Sequence, residues 1–263
     1  MAKPSKKSAR QSLIVSAVSA DPAVRIRDLA MRHGVTSETI RRDLQELDAA
    51  GALLRTYGGA VRNAAPEGIF AERMARNIPA RQAICEAALG LMGEVLQLFI
   101  CGGSTAVHFA RALAPLQKTP LTVVTQSFAV ARELSANPLI RVQILPGIFD
   151  ADEGIMHGPD TLRAISHYHA PLVIMTASGL SAEGISEGLE NYAHAHAAMI
   201  AASDRVLLLA EAGKFDQKAF LRIADWSPGI HVVSDAPPSA ALEAHLRDRG
   251  VALTIAPPLP EKP

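Results

Sequence analysis

The stretch from Val24 to Val61, VRIRDLAMRHGVTSETIRRDLQELDAAGALLRTYGGAV, carries two helical periodicities separated by a glycine. Apolar residues recur at Ile26, Leu29 and Ala30, then at Ile40, Leu44 and Leu47, the spacing of two amphipathic helices. Between them His33-Gly34-Val35 supplies the glycine that a sharp helix-to-helix corner needs, and Thr36 stands where an N-cap belongs. With Ile40, Leu44 and Leu47 turned inward, about 100° per residue swings Glu38, Thr39 and Arg42 outward and leaves Ser37 and Arg41 on the flanks. A helix with Ser, Thr and two adjacent Arg in its first turns, entered through a tight turn, suits the major groove of DNA. After Gly51 the pattern changes to Leu53-Leu54-Arg55-Thr56, then Tyr57-Gly58-Gly59, then Ala60-Val61. This predicts a two-stranded wing that turns at the glycines. The DNA-contacting residues expected from this segment are Thr36, Ser37, Thr39, Arg41, Arg42, Arg55, Tyr57 and Gly58. The competing reading is a helical hairpin whose arginines merely solvate a surface. Cap, turn, arginine pair and wing all agree on one geometry and disfavour it.

Working outward, the charge distribution supports a nucleic-acid partner although the average conceals it. The 263 residues carry 26 Lys+Arg against 26 Asp+Glu, a formal net charge of zero. Residues 1–63 hold eleven basic side chains against six acidic ones, and the remainder holds fifteen against twenty. A basic head on a mildly acidic body follows. Hydrophobic content of 49% with only 4% aromatic predicts a substantial and largely aliphatic core. The two cysteines, Cys85 and Cys101, make no disulfide framework, so a reducing cytoplasm is the expected location. No apolar run reaches the roughly 18 residues of a membrane span. The basic N-terminus lacks the hydrophobic core of a secretion signal. From Ser8 a first helix carries Leu13, Ile14, Ala17 and Val18 and stops at Asp21-Pro22. Val24-Arg25-Ile26 is expected to add a short strand beside the wing. The expected organisation is a winged helix-turn-helix domain over 1–62, a linker over 63–80, where Pro and Gly punctuate weak periodicity, and an α/β domain over 81–263.

Beyond Arg81 helical and β-branched segments alternate. A helix over Gln82 to Met92 precedes a strand over Val95–Ile100, and a second helix follows Gly102-Gly103-Ser104-Thr105. Strands are expected at Leu121–Thr125, Arg141–Leu145, Leu172–Thr176, Val206–Leu209, His231–Ser234 and Val251–Thr254, with a glycine-rich connection through Gly147, Gly154 and Gly158. Such alternation predicts a parallel-rich sheet with helices on both faces. Sheets of this kind bind ligands beyond the carboxyl ends of their strands. Gly103, Ser104 and Thr105 follow the first strand, Thr125 and Gln126 the second, Ser178 and Gly179 another, and Lys214 lies beyond Val206–Leu209. Backbone N–H groups at a helix start, together with a lysine, suit an anion such as a phosphate. These eight residues are the expected effector-binding set. His167-x-His169 and His194-x-His196 do not make a metal site, because residues two apart do not share a helix face and no further ligand completes either pair. No cofactor is expected. Cys101, at a strand end, reads as a buried thiol.

Two stretches resemble a known family. Residues 36–44, Thr-Ser-Glu-Thr-Ile-Arg-Arg-Asp-Leu, and 47–60, Leu-Asp-Ala-Ala-Gly-Ala-Leu-Leu-Arg-Thr-Tyr-Gly-Gly-Ala, closely resemble the winged helix-turn-helix signature of DeoR-type bacterial regulators. Thr36 stands where that family usually has Ser, and Tyr57 where it usually has His. The body, to about Ile255, is similar to the family's sensor domain, which shares its architecture with ribose-phosphate isomerase and coenzyme A transferases. There the first strand usually ends Asp-x-Gly-Thr-Thr, and here it reads Cys101-Gly102-Gly103-Ser104-Thr105. The family's Thr-Asn-Ser is Thr125-Gln126-Ser127, its paired glycine after Leu-Pro is Gly147-Ile148, and its Lys-Arg before Met-Ile is His196-Ala197. Lys214 keeps the lysine of the Asp-x-Ser-Lys-Phe pattern. The resemblance implies a repressor of a carbohydrate catabolic operon, working as a homodimer or homotetramer on double-stranded DNA and released by a small anionic metabolite such as a sugar phosphate. The alternative is a sugar-phosphate isomerase-like enzyme with an accessory DNA-binding head. Isomerisation needs a general base over the substrate carbon and an electrophile at its carbonyl. Cys101 in place of an acid, and Lys214 without an evident catalytic partner, favour binding without turnover.

Overall fold

The computed structural model describes residues 7, 10, 11, 13, 14, 26–49, 53–56, 59–62 and 70–259. The chain divides into two compact units, Met1–Gly68 and Ile69–Pro263. In the first, the described residues between Lys7 and Ile14 are helical, followed by α1 (Ile26–His33) and α2 (Ser37–Ala49). Strands β1 (Leu53–Thr56) and β2 (Gly59–Arg62) pair antiparallel, Thr56 opposite Gly59, which is the expected wing. Ile14, Leu29, Ala30, Ile40 and Leu44 form the core, with Ile26, Val35 and Leu47 packed against it. Helix α1 ends at Gly34, whose φ of 63° is the left-handed conformation a side chain resists. The Val35 N–H donates to the Ala30 carbonyl at 3.1 Å and the Gly34 N–H to that of Met31 at 3.4 Å, a Schellman closure that sets the corner. Ile26 belongs to α1 and not to a strand, because its apolar face continues the Leu29 and Ala30 stripe. Ala17, Val18, Asp21, Pro22, Val24 and Arg25 lie outside the described residues.

The second unit begins with α3 (Phe70–Ala75) and α4 (Ile78–Met92). Part of the stretch expected as linker is therefore helical. Pro79 sits in the first turn of α4, where its missing N–H costs nothing, and Asn77 enters with φ 51°. There follow β3 (Gln97–Ile100), α5 (Ser104–Leu113), β4 (Leu121–Thr125), α6 (Phe128–Leu134) and β5 (Ile140–Ile144). The glycine-rich connection is a hairpin, β6 (Ile148–Asp150) with β7 (Ile155–His157), leading into α7 (Pro159–Ile165). Then come β8 (Val173–Met175), β9 (Gly179–Ser181), β10 (Gly184–Glu187), α8 (Glu190–Ala201), β11 (Val206–Leu209), a 3-10 turn over Ala212–Lys214, β12 (Leu221–Ala224), β13 (Ile230–Ser234), α9 (Ala240–Asp248) and β14 (Ala252–Ile255).

Seven strands form one parallel sheet in the order β14-β13-β11-β8-β3-β4-β5, as the alternating pattern predicts. The buried residues of its central strands are apolar: Leu98, Phe99, Ile100, Val173, Ile174, Met175 and Leu208. The chain runs outward from β3 to β5 on one side and from β8 to β14 on the other, so the winding reverses between β3 and β8. A crevice opens at such a switch point beyond the carboxyl ends of the two strands. Ser178 and Gly179 follow β8, as expected, and enter a three-stranded antiparallel sheet, β12-β10-β9. A Cβ at Gly179 would lie 2.6 Å from the Gln217 carbonyl oxygen, so that glycine serves close backbone packing.

Candidate functional site

In the first unit α2 presents the expected face. Thr36 Oγ1 accepts the Thr39 N–H at 3.2 Å and lies 2.9 Å from the Thr39 hydroxyl, which caps the helix. Ser37, Glu38, Arg41 and Arg42 are exposed and Thr39 is half-exposed, while Ile40 and Leu44 are fully buried. Arg41 Nη1 donates to Glu38 Oε2 at 3.1 Å across one turn. Arg42 is thus the outward cation on the face opposite the core. Arg55 lies in β1 with its side chain outside the described residues, and Tyr57 and Gly58 lie outside them altogether. One contact went unread in the sequence. Asp43, buried on α2, receives Arg10 Nε at 2.6 Å and Nη2 at 3.1 Å, and so ties the N-terminal helical residues to the recognition helix.

In the second unit polar groups gather at the carboxyl ends of β3, β4 and β8. Thr176 Oγ1 donates to the Gly102 carbonyl at 3.0 Å and sits 3.5 Å from Cys101 Sγ. Gly103 enters α5 with φ 109°, and a Cβ there would lie 2.9 Å from Thr176 Oγ1. A Cβ at Gly102 would lie 2.6 Å from Tyr192 Cε1, 2.9 Å from Ile155 and 3.4 Å from Gln126 Nε2. Two glycines are needed here because three elements converge on their backbone. Ser104 and Thr105 are buried in the first turn of α5. Thr125 Oγ1 accepts the Ser127 N–H at 3.0 Å and so shapes the loop after β4. Gln126 is wholly buried, yet neither its amide nitrogen nor its amide oxygen has a partner. Ser178 Oγ donates to Glu187 Oε1. Lys214 stands on the 3-10 turn beside Glu211, which receives Arg81 Nε at 2.7 Å and Asn77 Nδ2.

Five further residues, absent from the expected set, surround these. Glu187 is buried and accepts the Gly188 N–H at 2.8 Å; burial pushes its carboxyl pKa up. His196 is wholly buried and burial pushes its imidazole down to about 3, so the ring is neutral. Its Nδ1 is 3.7 Å from Glu187 Oε2, too far for a hydrogen bond, and both ring nitrogens are without one. Tyr192 stacks edge-on against His196 with centroids 5.2 Å apart. The Tyr192 hydroxyl donates to Glu153 Oε2 at 3.0 Å, and Arg73 grips the same carboxylate through both terminal nitrogens. Burial raises the Cys101 thiol pKa to about 12, so it is protonated and inert at neutral pH. His194 is exposed where His196 is buried, so that pair faces two environments.

No helix among the described residues is long and apolar enough to cross a membrane. Residues 10–65 match the DeoR-like helix-turn-helix domain and residues 76–236 the DeoR C terminal sensor domain. The chain is 30% identical to an uncharacterized HTH-type transcriptional regulator of Bacillus subtilis, over 94% of this chain and 96% of that one. It is 30% identical to the L-fucose operon activator of Haemophilus influenzae, over 86% and 91%. It is 27% identical to the glycerol-3-phosphate regulon repressor of Escherichia coli, over 95% and 99%. With an exposed arginine on a capped helix in one unit and a parallel sheet whose winding reverses between β3 and β8 in the other, the chain belongs to the DeoR family of DNA-binding transcriptional regulators, and is a regulator rather than an enzyme.

Proposed function

We infer that the protein represses a carbohydrate catabolic operon and that a small anionic metabolite of the sugar-phosphate class releases it. DNA is met by Thr36, Ser37, Thr39, Arg41 and Arg42 on α2 and by Arg55, Tyr57 and Gly58 in the wing. The metabolite sits beyond β3, β4 and β8, among Gly103, Ser104, Thr105, Thr125, Gln126, Ser178, Gly179 and Lys214. The observation that carries the ligand reading is Gln126. A buried amide with two unmet hydrogen-bonding atoms is costly, and a hydroxylated ligand satisfies both. Relatives named for L-fucose and glycerol-3-phosphate regulons support the carbohydrate assignment. A homodimer or homotetramer formed through the sensor unit supplies two heads for two half-sites. Phe128 and Phe149, both exposed with ring centroids 6.5 Å apart, offer apolar surface for that contact.

The test is a panel of sugar phosphates and sugar acids scored by melting temperature and operator affinity. A ligand at 100 times its dissociation constant stabilises the fold by about 2.7 kcal/mol. Gln126→Leu is expected to abolish the shift and leave operator binding intact. A panel that moves neither quantity overturns the sensor reading.

A further inference from the structure

Close to the Gln126 and His196 side chains, which lack hydrogen-bond partners, the protein buries a carboxylate of its own. The β6–β7 hairpin is pinned to the end of β4, the Met156 N–H donating to the Gln126 carbonyl at 2.8 Å and the Phe128 N–H to that of Gly154 at 2.9 Å. Its turn is shaped by Asp150, whose Oδ1 accepts the Glu153 N–H at 3.1 Å and whose Oδ2 accepts Asn191 Nδ2 at 2.9 Å. The hairpin thereby delivers Glu153 to Arg73, and both side chains are about nine-tenths buried. Glu153 in turn holds Tyr192, which with Ile155 covers Gly102 and the Gln126 amide.

We propose that Arg73 is the anion seat of the effector site and that Glu153 occupies it as an internal surrogate until a ligand's anionic group takes its place. This rests on the reading of the strand ends as the effector pocket. A buried guanidinium needs a counter-charge, and its planar fork accepts a phosphate or a carboxylate in the same two-bonded way. Exchange of one anion for another leaves Arg73 compensated throughout. It also withdraws the acceptor from Tyr192, so the ring is free to leave Gly102, and a ligand hydroxyl then reaches the Gln126 amide and the His196 ring. The ligand class that fits is a hydroxylated monophosphate or carboxylate short enough to span from Arg73 to Gln126. Arg73 lies on α3, the first helix after residue 69, and its own carbonyl accepts Arg81 Nη1. A change of partner at Arg73 therefore acts on the segment through which the chain reaches the DNA-binding head.

The experiment uses full-length wild type, Glu153→Gln, Glu153→Asp and the double variant Glu153→Gln/Arg73→Gln, with inorganic phosphate as the calorimetric probe and amide hydrogen exchange without ligand. Glu153→Gln keeps the size of the side chain and removes the competing charge. It is expected to bind phosphate at least tenfold more tightly than wild type and to exchange faster across 70–76, and the double variant is expected to lose phosphate binding. Glu153→Asp, with a carboxylate too short to reach, is expected to do the same as Glu153→Gln and stands in for it should that variant misfold. Equal phosphate affinity in wild type and both single variants, or unchanged exchange across 70–76, overturns the Arg73 seat. A sugar phosphate that shifts the wild-type melting temperature, with Gln126→Leu abolishing the shift, keeps the pocket reading even where the Arg73 seat fails. Absence of binding of phosphate and of every sugar phosphate to every variant overturns both.

Discussion

Arg42 stands exposed on α2 opposite Ile40 and Leu44, and a guanidinium so placed suits contact with base edges in a groove or with a central phosphate. Arg42→Ala is expected to cost about 1–3 kcal/mol of specific operator binding at matched salt, measured by fluorescence anisotropy. Asp43, one residue on, points the other way and serves the fold. Asp43→Ala leaves Arg10 without its carboxylate and is expected to lower the melting temperature of the head while the sensor transition stays where it was. In the sensor, His196 sets an acid limit. Its folded pKa of about 3 lies below the ordinary value near 6.5, so between these the unfolded chain binds a proton that the folded one does not. Stability from this group falls as pH drops below about 6.5, by up to about 1.4 kcal/mol per pH unit. Glu187 acts oppositely, because its raised pKa gives a contribution that is present at low pH and lost as pH rises through the folded value. Urea midpoints of the sensor transition from pH 7 to pH 4 are expected to decline in wild type and to decline less in His196→Leu.

At the scale of elements, the turn between β3 and α5 is tightly constrained backbone, with close approaches at both Gly102 and Gly103. Gly102→Ala drives a methyl into Tyr192 and Ile155 and is expected to destabilise the sensor by about 1–3 kcal/mol, read from chemical denaturation. That turn was legible in the sequence, since a run of apolar residues ending in Gly102-Gly103-Ser104-Thr105 ahead of a helical period has few other meanings. So were the head, the wing and the parallel strands, all of which rest on local periodicity. The elements that were misread owe their form to distant partners. Phe70–Ala75 is too short to show a helical period, and Arg73 is fixed by Glu153, eighty positions along the chain. The Ile148–His157 hairpin reads as glycine-rich connection because its strands have three residues each. Gln126 can be placed after β4 from the sequence, whereas Glu153 and Tyr192 meet from a hairpin and a helix that sequence spacing does not bring together.

For the whole molecule, the basic head and acidic body mean that operator affinity depends steeply on salt. Arg55→Ala is expected to weaken binding to specific and unrelated DNA about equally and to flatten the dependence of log affinity on log salt. Sedimentation of wild type at micromolar concentration is expected to give a dimer or tetramer, and Phe149→Lys to shift it towards monomer; a wild-type monomer with and without operator contradicts the assembly. The reversal of winding between β3 and β8 has a consequence for how the protein is made. These two strands lie side by side at the centre of the sheet, yet Phe99 pairs with Val173, 74 residues later. At about 5–20 residues per second, a ribosome needs about 4–15 s to make that interval. Throughout it β3 offers one unpaired edge of Leu98, Phe99 and Ile100, while the head, whose core and wing pairings among the described residues lie within the first 62 positions, is already synthesised. A nascent chain thus carries a complete DNA-binding unit ahead of an unfinished sensor, and an apolar central strand waits with one open edge for its neighbour.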